Sequence, residues 1–199
     1  MDKPDFLKKY REKRNFDRTS EPFGSKKKSG KKQPIFVIQK HNASQLHYDF
    51  RLEVDNVLKS WSVPKGPSTD PSERRLAVRT EDHPIDYADF EGVIPEDQYG
   101  AGTVMVWDAG TYESMNKKDE KEISMKDALN DGHVVFKLKG KKISGGYALI
   151  QKGKGDNWFL IKMNDDEADA RRNPVSTEPR SVLTKRTLEE IRNDEKNAG

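Results

Sequence analysis

The chain has 199 residues, of which 36% are charged and only 32% belong to the hydrophobic set AVILMFWYC. No apolar run approaches the roughly 20 residues of a bilayer span, and the start of the chain lacks a signal peptide, so we expect a cytoplasmic protein with no membrane partner. Cysteine is absent, which excludes a disulfide framework, thiolate metal sites and thiol catalysis.

The net charge of +3 is unevenly distributed along the chain. Residues 1–33 contain 12 Lys and Arg against 5 Asp and Glu, a surplus of 7, so the remaining residues have 25 against 29. A basic arm on a near-neutral body is typical of nucleic-acid binding, because phosphates release counterions when Lys and Arg neutralise them. A solubilising disordered tail has the same composition, and charge alone does not distinguish the two.

The first 33 residues predict a flexible basic arm. A short helix is expected over 2–15, with Asp2 as its cap and Pro4 in its first turn. Residues 24–32 are only Gly, Ser and Lys, so they have no apolar side chain to bury and predict a flexible linker. The folded domain is therefore expected to begin near Pro34.

Residues 34–163 are predicted to form a β domain. Short runs rich in Val, Ile, Phe, Tyr and Trp are separated by Gly, Pro and Asn, which is the pattern of many short strands. The predicted strands are 35–40, 47–54, 57–63, 75–80, 103–108, 110–114, 133–139, 143–151 and 157–163. Asp55-Asn56 is typical of a tight hairpin turn. Strands at this spacing favour a small β-barrel or a sandwich, so the fold class is mainly β with short peripheral helices.

Two further helices are predicted. Ser124 is expected to cap the first, with Gly132 just beyond its end. Residues 164–199 are polar and irregular, and are expected to form a C-terminal extension with one short helix. Thr187-x-x-Glu190 is a capping-box pattern that would start this helix.

The predicted strand 47–54 has an unusual polar face. Strict alternation places His47, Asp49 and Arg51 on the face opposite its apolar side chains. Residues two apart on a strand are about 6.6–7 Å apart, so an imidazole and a carboxylate can converge on one ion, with His41 as a third ligand. Such a set suits Mn²⁺, Fe²⁺ or Zn²⁺, and Arg51 would lie where a metal-bound phosphate needs a forked donor. The alternative is a surface pair of His47 and Asp49, with His41 in an ordinary loop.

A second polar cluster follows in the sequence. Alternation in the strand 75–80 predicts Arg75 on an outward basic face, opposite the side of Leu76. The proline after His83 biases this histidine to an extended conformation that can project its side chain from a strand end. In the functional interpretation, Arg75 and His83 bind or protonate a phosphoryl oxygen and Tyr87 adds a hydroxyl donor. Otherwise Arg75 is a solvated charge and Tyr87 packs at a rim.

Two glycine-containing turns allow the same two interpretations. Segments 63–67 and 99–102 can bring backbone close to phosphates or bases, and Lys65 can contact a phosphate, although ordinary turns have the same composition. No G-x-x-x-x-G-K-[ST] occurs, and the glycines of 99–102 open a strand, so a nucleotide-binding fold is not indicated.

Longer stretches of the sequence resemble a known family. They are 39–41, 46–53, 60–67, 81–95, 99–102, 107–108, 158–162 and 180–183. These stretches closely resemble the 3′-phosphoesterase module of bacterial DNA ligase D, and the likeness covers nearly the whole chain. Because no ligase or polymerase sequence follows, we expect a free-standing member of this family.

The resemblance implies a manganese-dependent enzyme on a β-barrel, with Zn²⁺ or Co²⁺ as other metals. It would remove a 3′-phosphate and trim a 3′-terminal ribonucleotide from DNA or RNA-tipped primer-templates, leaving a ligatable hydroxyl in double-strand break repair. A separate DNA ligase and end-joining proteins would be its partners, and a monomer is expected. His83 would protonate or stabilise the leaving 3′ oxygen, because an imidazole titrates near neutral pH.

The resemblance also implies residue roles. The metal ligands would be His41, His47 and Asp49; the phosphate ligands Arg51, His83 and Arg75; further catalytic positions Tyr87, Glu81 and Gln39; and the DNA-binding or end-processing positions Arg14 and Glu21, to which Lys65 is added as a candidate phosphate contact. Asn15 stands where the family usually has Asp, which argues against a charge-dependent role at that position.

Two other functions remain open at this point. His47 and Asp49 with a distant His83 are similar to the 2-His-1-carboxylate set of non-haem Fe(II) oxygenases. A non-catalytic DNA-end binding module would use the basic arm and the arginines, with the histidines incidental. Arg51 together with Arg75 fits phosphate better than an oxygenase, so the phosphoesterase is the leading prediction.

Overall fold

A computed structural model of the chain describes residues 5–25 and 29–198. Its strands are β1 Ile35–Asn42, β2 Leu46–Val54, β3 Val57–Val63, β4 Arg74–Arg79, β5 Gly92–Ile94, β6 Gly102–Ser114, β7 Lys117–Lys118, β8 Lys121–Glu122, β9 His133–Lys139, β10 Ser144–Gln151 and β11 Asn157–Lys162. Its helices are α1 Lys8–Glu12, α2 Met125–Asn130, α3 Pro174–Thr177 and α4 Leu188–Ala198, with a 3-10 turn at Ile85–Asp89.

Eight antiparallel strands close into a barrel. They are hydrogen-bonded in the order β1-β2-β3-β4-β11-β10-β9-β6, and β6 pairs back with β1. The long strand β6 makes this closure, because it pairs with β1 along one edge and with β5 and β9 along the other. The mainly β prediction is confirmed, and of the two architectures that the sequence left open the barrel is the observed one.

Local turn and strand predictions mostly hold. Asp55 and Asn56 have φ of 52° and 65°, the left-handed pair that a tight hairpin requires, so this turn is confirmed. The predicted break between 103–108 and 110–114 is wrong, because both runs belong to β6. Gly110 does not interrupt the strand. Its missing Cβ lets the Lys139 carbonyl oxygen approach closely, where any side chain would collide.

The helix caps are as predicted. Ser124 Oγ accepts a hydrogen bond from the Asp127 backbone N–H at 3.1 Å, and Gly132 follows with φ 73°. Thr187 and Glu190 form a reciprocal capping box, with N–H to side-chain distances of 2.7 and 3.2 Å. None of the helices in the described ranges combines the length and the apolar character that a membrane crossing needs.

The N-terminal segment packs on the outer wall of the barrel. Tyr10 is fully buried there, in a second apolar cluster with Val37 and Leu58, separate from the cluster inside the barrel. Its hydroxyl donates to the Pro22 carbonyl at 2.6 Å. The folded unit therefore extends beyond the boundary predicted near Pro34. The helix α1 is shorter than predicted, and its expected cap and first turn lie outside the described residues.

The C-terminal segment is also part of the packed structure. Trp107 Nε1 donates to the Glu178 carbonyl at 2.8 Å, and the Val182 N–H donates to Val106 at 3.0 Å. Ile191 of α4 is buried against the main core. Residues beyond 163 thus form a strap on the barrel, although the sequence there is polar.

Candidate active site

The polar face predicted for β2 is confirmed and lies on the outside of the barrel wall. Antiparallel register sets His41 opposite His47 and Gln39 opposite Asp49. The opposite face of β2 fills the barrel interior. The polar face is nonetheless buried, since Asp49 is 7% exposed and Arg51 only 2%. A covered cluster of ionisable groups on a barrel wall is a costly arrangement that suggests a functional site.

Three side chains of this face form a set that can hold a metal ion. One potential ligand atom each from His41, His47 and Asp49 lies within 4.8 Å of the others. The carboxylate oxygens of Asp49 are 3.5 Å from His41 Nδ1 and 3.7 Å from His47 Nε2. His47 Nδ1 lies 3.0 Å from the Gln45 carbonyl, which can only accept, so in the neutral ring this nitrogen carries the proton and the lone pair is on Nε2.

The fit to a metal is supported by an unpartnered atom and by charge. His41 Nε2 is buried and has no hydrogen-bond partner among the described residues. Burial opposes the charged form of Asp49, but Arg51 and the two histidines hold the pKa of this carboxyl well below its usual value. Burial lowers the pKa of His47, and its hydrogen bond and attraction to Asp49 outweigh this, so the net shift is upward. The two imidazoles and the anionic carboxylate are donors that suit Mn²⁺, Zn²⁺ or Co²⁺.

Arg51 is rigidly positioned beside this set. Its Nε donates to Gln39 Oε1 at 2.7 Å and its Nη1 to Ser60 Oγ at 2.9 Å. Its Nη2 is 3.3 Å from Asp49 Oδ2. The Gln39 amide nitrogen in turn donates to the carbonyls of Tyr87 and Phe90, each at 3.0 Å, which fixes the direction of Oε1. Gln39 therefore acts as a positioning residue behind the guanidinium.

Arg14 reaches the same place from the N-terminal segment. Its Nε donates to Glu21 Oε1 at 2.9 Å, its Nη1 is 3.3 Å from Glu81 Oε1, and its Nη2 is 3.4 Å from His83 Nε2. Glu21 also accepts a hydrogen bond from the Tyr87 hydroxyl at 2.9 Å. Because both side chains of the Arg14–Glu21 pair are almost fully buried, the segment is held in one arrangement against the barrel.

His83 lies between the two arginines. Its Nδ1 is 2.9 Å from both the Glu81 carbonyl oxygen and Arg51 Nη1. Burial, followed by the positive charges of Arg51 and Arg14, lowers the pKa of His83 well below its usual value. A metal ion at His83 would meet two cations, so the oxygenase hypothesis, which used this histidine as a ligand, loses its third ligand.

The buried, neutral His83 makes the stability depend on pH. Its pKa is lower in the folded protein than the value of about 6.5 in an unfolded chain, so below pH 6.5 the unfolded state binds more protons. The free energy of unfolding is therefore expected to fall as the pH decreases from about 6.5. His83→Gln should flatten this slope, as measured by urea unfolding at several pH values in EDTA. Equal slopes in the two proteins would contradict this expectation.

These groups surround one cavity of about 310 Å³. Of the residues predicted from the sequence, those lining it are Arg14, His41, His47, Asp49, Arg51, Glu81, His83 and Tyr87. Gln39 and Glu21 lie directly behind them and orient the arginines. Tyr87 is buried, and burial raises the pKa of its hydroxyl well above the usual value. It therefore remains a neutral donor to Glu21.

Arg75 is not brought to this cavity. The predicted orientation of β4 is wrong, because Ala77 is fully buried in the core while Leu76 is 42% exposed. Arg75 lies opposite the core residue Leu160 and pairs with Glu73. Interior positions near a barrel end can hold an arginine, since its stem packs on the core and its head reaches the rim. Alternation alone does not show which face is inside.

Other residues of the cavity were not predicted, and Lys65, like Arg75, is a predicted residue that lies away from it. Lys65 is exposed in the turn after β3, while Thr80 and Tyr99 line the cavity. Lys13 donates to both Glu81 and the Tyr99 hydroxyl at 3.1 Å. The turn at 99–102 was noted for its glycines, but no local pattern links it to an N-terminal lysine 86 residues away.

Comparison with known proteins shows the family of this chain. The family described as "DNA Ligase D 3'-phosphoesterase domain" matches residues 39–151. The chain is 48% identical over 188 residues to the multifunctional non-homologous end joining protein LigD of Pseudomonas aeruginosa, covering 92% of this chain and 22% of that protein. It is 43% identical over 163 residues to the LigD of Mycobacterium tuberculosis, covering 82% of this chain and 20% of that protein.

Together with this match, a closed barrel whose wall has a His/Asp set that can hold a metal beside two arginines indicates a phosphoesterase-like domain. The chain belongs to the DNA ligase D 3′-phosphoesterase domain family. It spans about a fifth of the length of the curated relatives that it matches.

Proposed function

We propose that this chain is a metal-dependent phosphoesterase that repairs DNA 3′ ends. It would remove a 3′-phosphate and trim a 3′-terminal ribonucleotide, leaving a hydroxyl that a ligase can use in non-homologous end joining. The observation that carries this proposal is a direct contact between the residues that can hold a metal and the arginine that can bind a phosphate: Asp49 Oδ2 is 3.3 Å from Arg51 Nη2. Family membership supplies the nucleic-acid context.

Mn²⁺ is the proposed metal, with Zn²⁺ or Co²⁺ as substitutes, and His41, His47 and Asp49 would hold it. When bound, such an ion supplies Lewis-acid neutralisation of a phosphate oxygen and lowers the pKa of water. The three residues supply two neutral nitrogen donors and one anionic oxygen donor, which leaves coordination positions for water and substrate.

Arg51 and Arg14 are proposed to bind the remaining phosphate oxygens. Both guanidiniums are already fixed by hydrogen bonds, so they need little reorganisation when charge develops on the phosphorus oxygens. Arg51 has one carboxylate partner, Asp49, besides the neutral acceptors Gln39 and Ser60, whereas Arg14 has two, Glu21 and Glu81, so the charge of Arg51 is less compensated. We therefore assign Arg51 as the principal phosphate ligand.

His83 is proposed to donate a proton to the leaving 3′ oxygen. In the free site its imidazole is neutral, but an incoming phosphate brings negative charge next to it and raises its pKa. The protonated ring can then donate to the phosphate. As water attacks phosphorus and the bond to the 3′ oxygen breaks, the ring can pass its proton to that oxygen, giving a 3′-hydroxyl and inorganic phosphate.

Glu81 and Tyr87 are proposed to act as positioning residues. Glu81 holds Lys13 and Arg14 at the mouth of the cavity, with carboxylate distances of 3.1 and 3.3 Å. Tyr87 donates to Glu21, which holds Arg14 from the other side. Loss of either should therefore move Arg14. A role of Arg75 or Lys65 in phosphate binding has no support from the lining of this cavity.

The test uses a 5′-labelled primer-template ending in a 3′-phosphate, or in one 3′-ribonucleotide. We expect conversion to a 3′-hydroxyl strand with Mn²⁺, and none with EDTA, because EDTA removes the ion that the three ligands hold. A 3′-hydroxyl DNA primer of equal length is the control and should stay unchanged. Tight binding without conversion in Mn²⁺ would contradict the proposal and favour the DNA-end binding module.

A further inference from the structure

A longer groove adjoins the active-site cavity. A second cavity of about 660 Å³ shares Thr80, Glu81 and Tyr99 with the lining of the active-site cavity. A third, of about 310 Å³, shares Phe6, Arg79 and Asp156 with the second. The three cavities therefore adjoin one another in series, and we call the second and third together the exit groove.

Two aromatic side chains stand at successive positions along this groove. Tyr99 is 48% exposed and lies where the first and second cavities meet. Phe6 is 39% exposed and lies where the second and third meet. An exposed aromatic ring in a groove can stack on a nucleobase.

Each ring is accompanied by a lysine. The Lys13 amine is 4.4 Å from the centre of the Tyr99 ring, and the Lys59 amine is 4.6 Å from the centre of the Phe6 ring. A stacking ring with a cation beside it is the combination that binds single-stranded nucleic acid without regard to sequence.

Three acidic side chains of the groove are paired within the protein. Glu81 pairs with Lys13 and Arg14, Asp82 with Lys59 and Arg79, and Asp5 with Arg11. These pairs compensate the three carboxylates that a phosphate backbone would otherwise meet there. The remaining acidic lining residues are Asp55 and Asp156, and the lining cations are Lys8, Lys9, Lys13, Lys59, Arg79 and Lys126.

We propose that the exit groove binds the nucleotides that precede the 3′ end in the site, with Tyr99 stacking on a base close to that end and Phe6 on a base farther along. This inference rests on the proposed function, because it takes the strand end to lie in the active-site cavity. That cavity is at the small end of the range for ligand sites, about 300–1,000 Å³, so a polymer must leave it, and the exit groove adjoins it directly.

The first test compares a single-stranded 3′-phosphorylated nonanucleotide with thymidine 3′-monophosphate in Mn²⁺. Only the longer substrate can occupy the groove. Tyr99→Ala and Phe6→Ala are each expected to lower kcat/KM for the nonanucleotide about tenfold more than for the mononucleotide, since one stacking contact is lost. Tyr99→Phe keeps the ring and should keep the ratio of the two substrates. Phe159→Ala, an aromatic truncation outside the groove, is the matched control.

The second test does not require turnover. Nonanucleotides with a 3′-hydroxyl and one 2-aminopurine are titrated with the full chain in EDTA, and stacking is observed as quenching of the base. Tyr99→Ala should relieve quenching near the 3′ end, and Phe6→Ala at a base farther from it. If quenching does not depend on the position of the 2-aminopurine, or is unchanged in both variants, the proposed stacking in the exit groove is wrong.

Failures of the two proposals give different results. If the wild-type chain converts neither substrate but the position-dependent quenching is present, the proposed function is contradicted and nucleotide binding in the exit groove is supported. If the wild-type chain converts both substrates and each variant lowers kcat/KM by the same factor for both, the proposed binding of nucleotides in the exit groove is contradicted and the proposed function stands.

Discussion

His47→Ala is expected to lower turnover of a 3′-phosphorylated strand at least about 1000-fold. The imidazole is one of three donors around the proposed metal position, and its Nε2 faces Asp49. Metal-ion stabilisation of a transition state contributes several kcal/mol, and each 1.36 kcal/mol is about tenfold in rate. The measurement is kcat/KM on the labelled primer-template, together with Mn²⁺ affinity by isothermal titration calorimetry.

His133→Ala is the matched control for this variant. His133 is an exposed histidine at the start of β9, outside the lining of the active-site cavity, and its loss should leave both quantities unchanged. Retained Mn²⁺-dependent turnover in His47→Ala would contradict the ligand assignment. Loss of turnover with full Mn²⁺ affinity would also contradict it.

Glu21→Ala is expected to destabilise the protein by about 3–5 kcal/mol, because it removes the nearer of the two carboxylates that pair with the buried Arg14 and leaves only Glu81, at 3.3 Å. Glu21 accepts hydrogen bonds from Arg14, Tyr87 and Thr19, at 2.9 to 3.0 Å. The Arg14 side chain is only 3% exposed, so water cannot replace the lost carboxylate without opening the segment. Urea unfolding at pH 7 measures the change, and end processing should fall with it.

Two further variants separate this mechanism from general damage. Arg14→Met combined with Glu21→Ala should be less destabilised than Glu21→Ala alone, because no buried charge remains unpaired. Glu113→Ala removes a glutamate from an exposed pair with Lys139 and should leave the stability close to that of the wild type, because solvent screens the pair. A double variant that is as unstable as the sum of its single variants would contradict a buried ion-pair role.

Much of the site could be predicted from local sequence. Strict alternation in β2 separates the apolar face from His47, Asp49 and Arg51, and the short turn to β1 brings His41 opposite His47. Such neighbours are fixed by a two-residue period and one hairpin, so periodicity predicts them. The same reasoning failed at β4, because both Arg75 and Ala77 lie on its inner face. The alternation of polar and apolar residues in β4 therefore does not show which face of the strand points to the core.

The packing of the N-terminal segment on the barrel could not be predicted from local sequence patterns. Its charge predicts a free basic arm, yet Tyr10 and Glu21 are buried and Arg14 lies beside His83. Nothing within the segment indicates this arrangement, since each contact depends on the barrel wall and on the 3-10 turn at 85–89. A surplus of positive charge predicts solvent exposure unless a buried partner, here Glu21, is brought in by the fold.

By itself, the sequence determined the mainly β fold class, the strands around the site, the capped helices and the strand face with the candidate metal ligands. These depend on residues a few positions apart, whose geometry follows from backbone period and turn chemistry. Only the tertiary structure decided the barrel closure, the covering of that face, and the approach of Arg14 to His83 across 69 residues. Such contacts depend on which surfaces can be buried together, and that is a property of the whole folded chain.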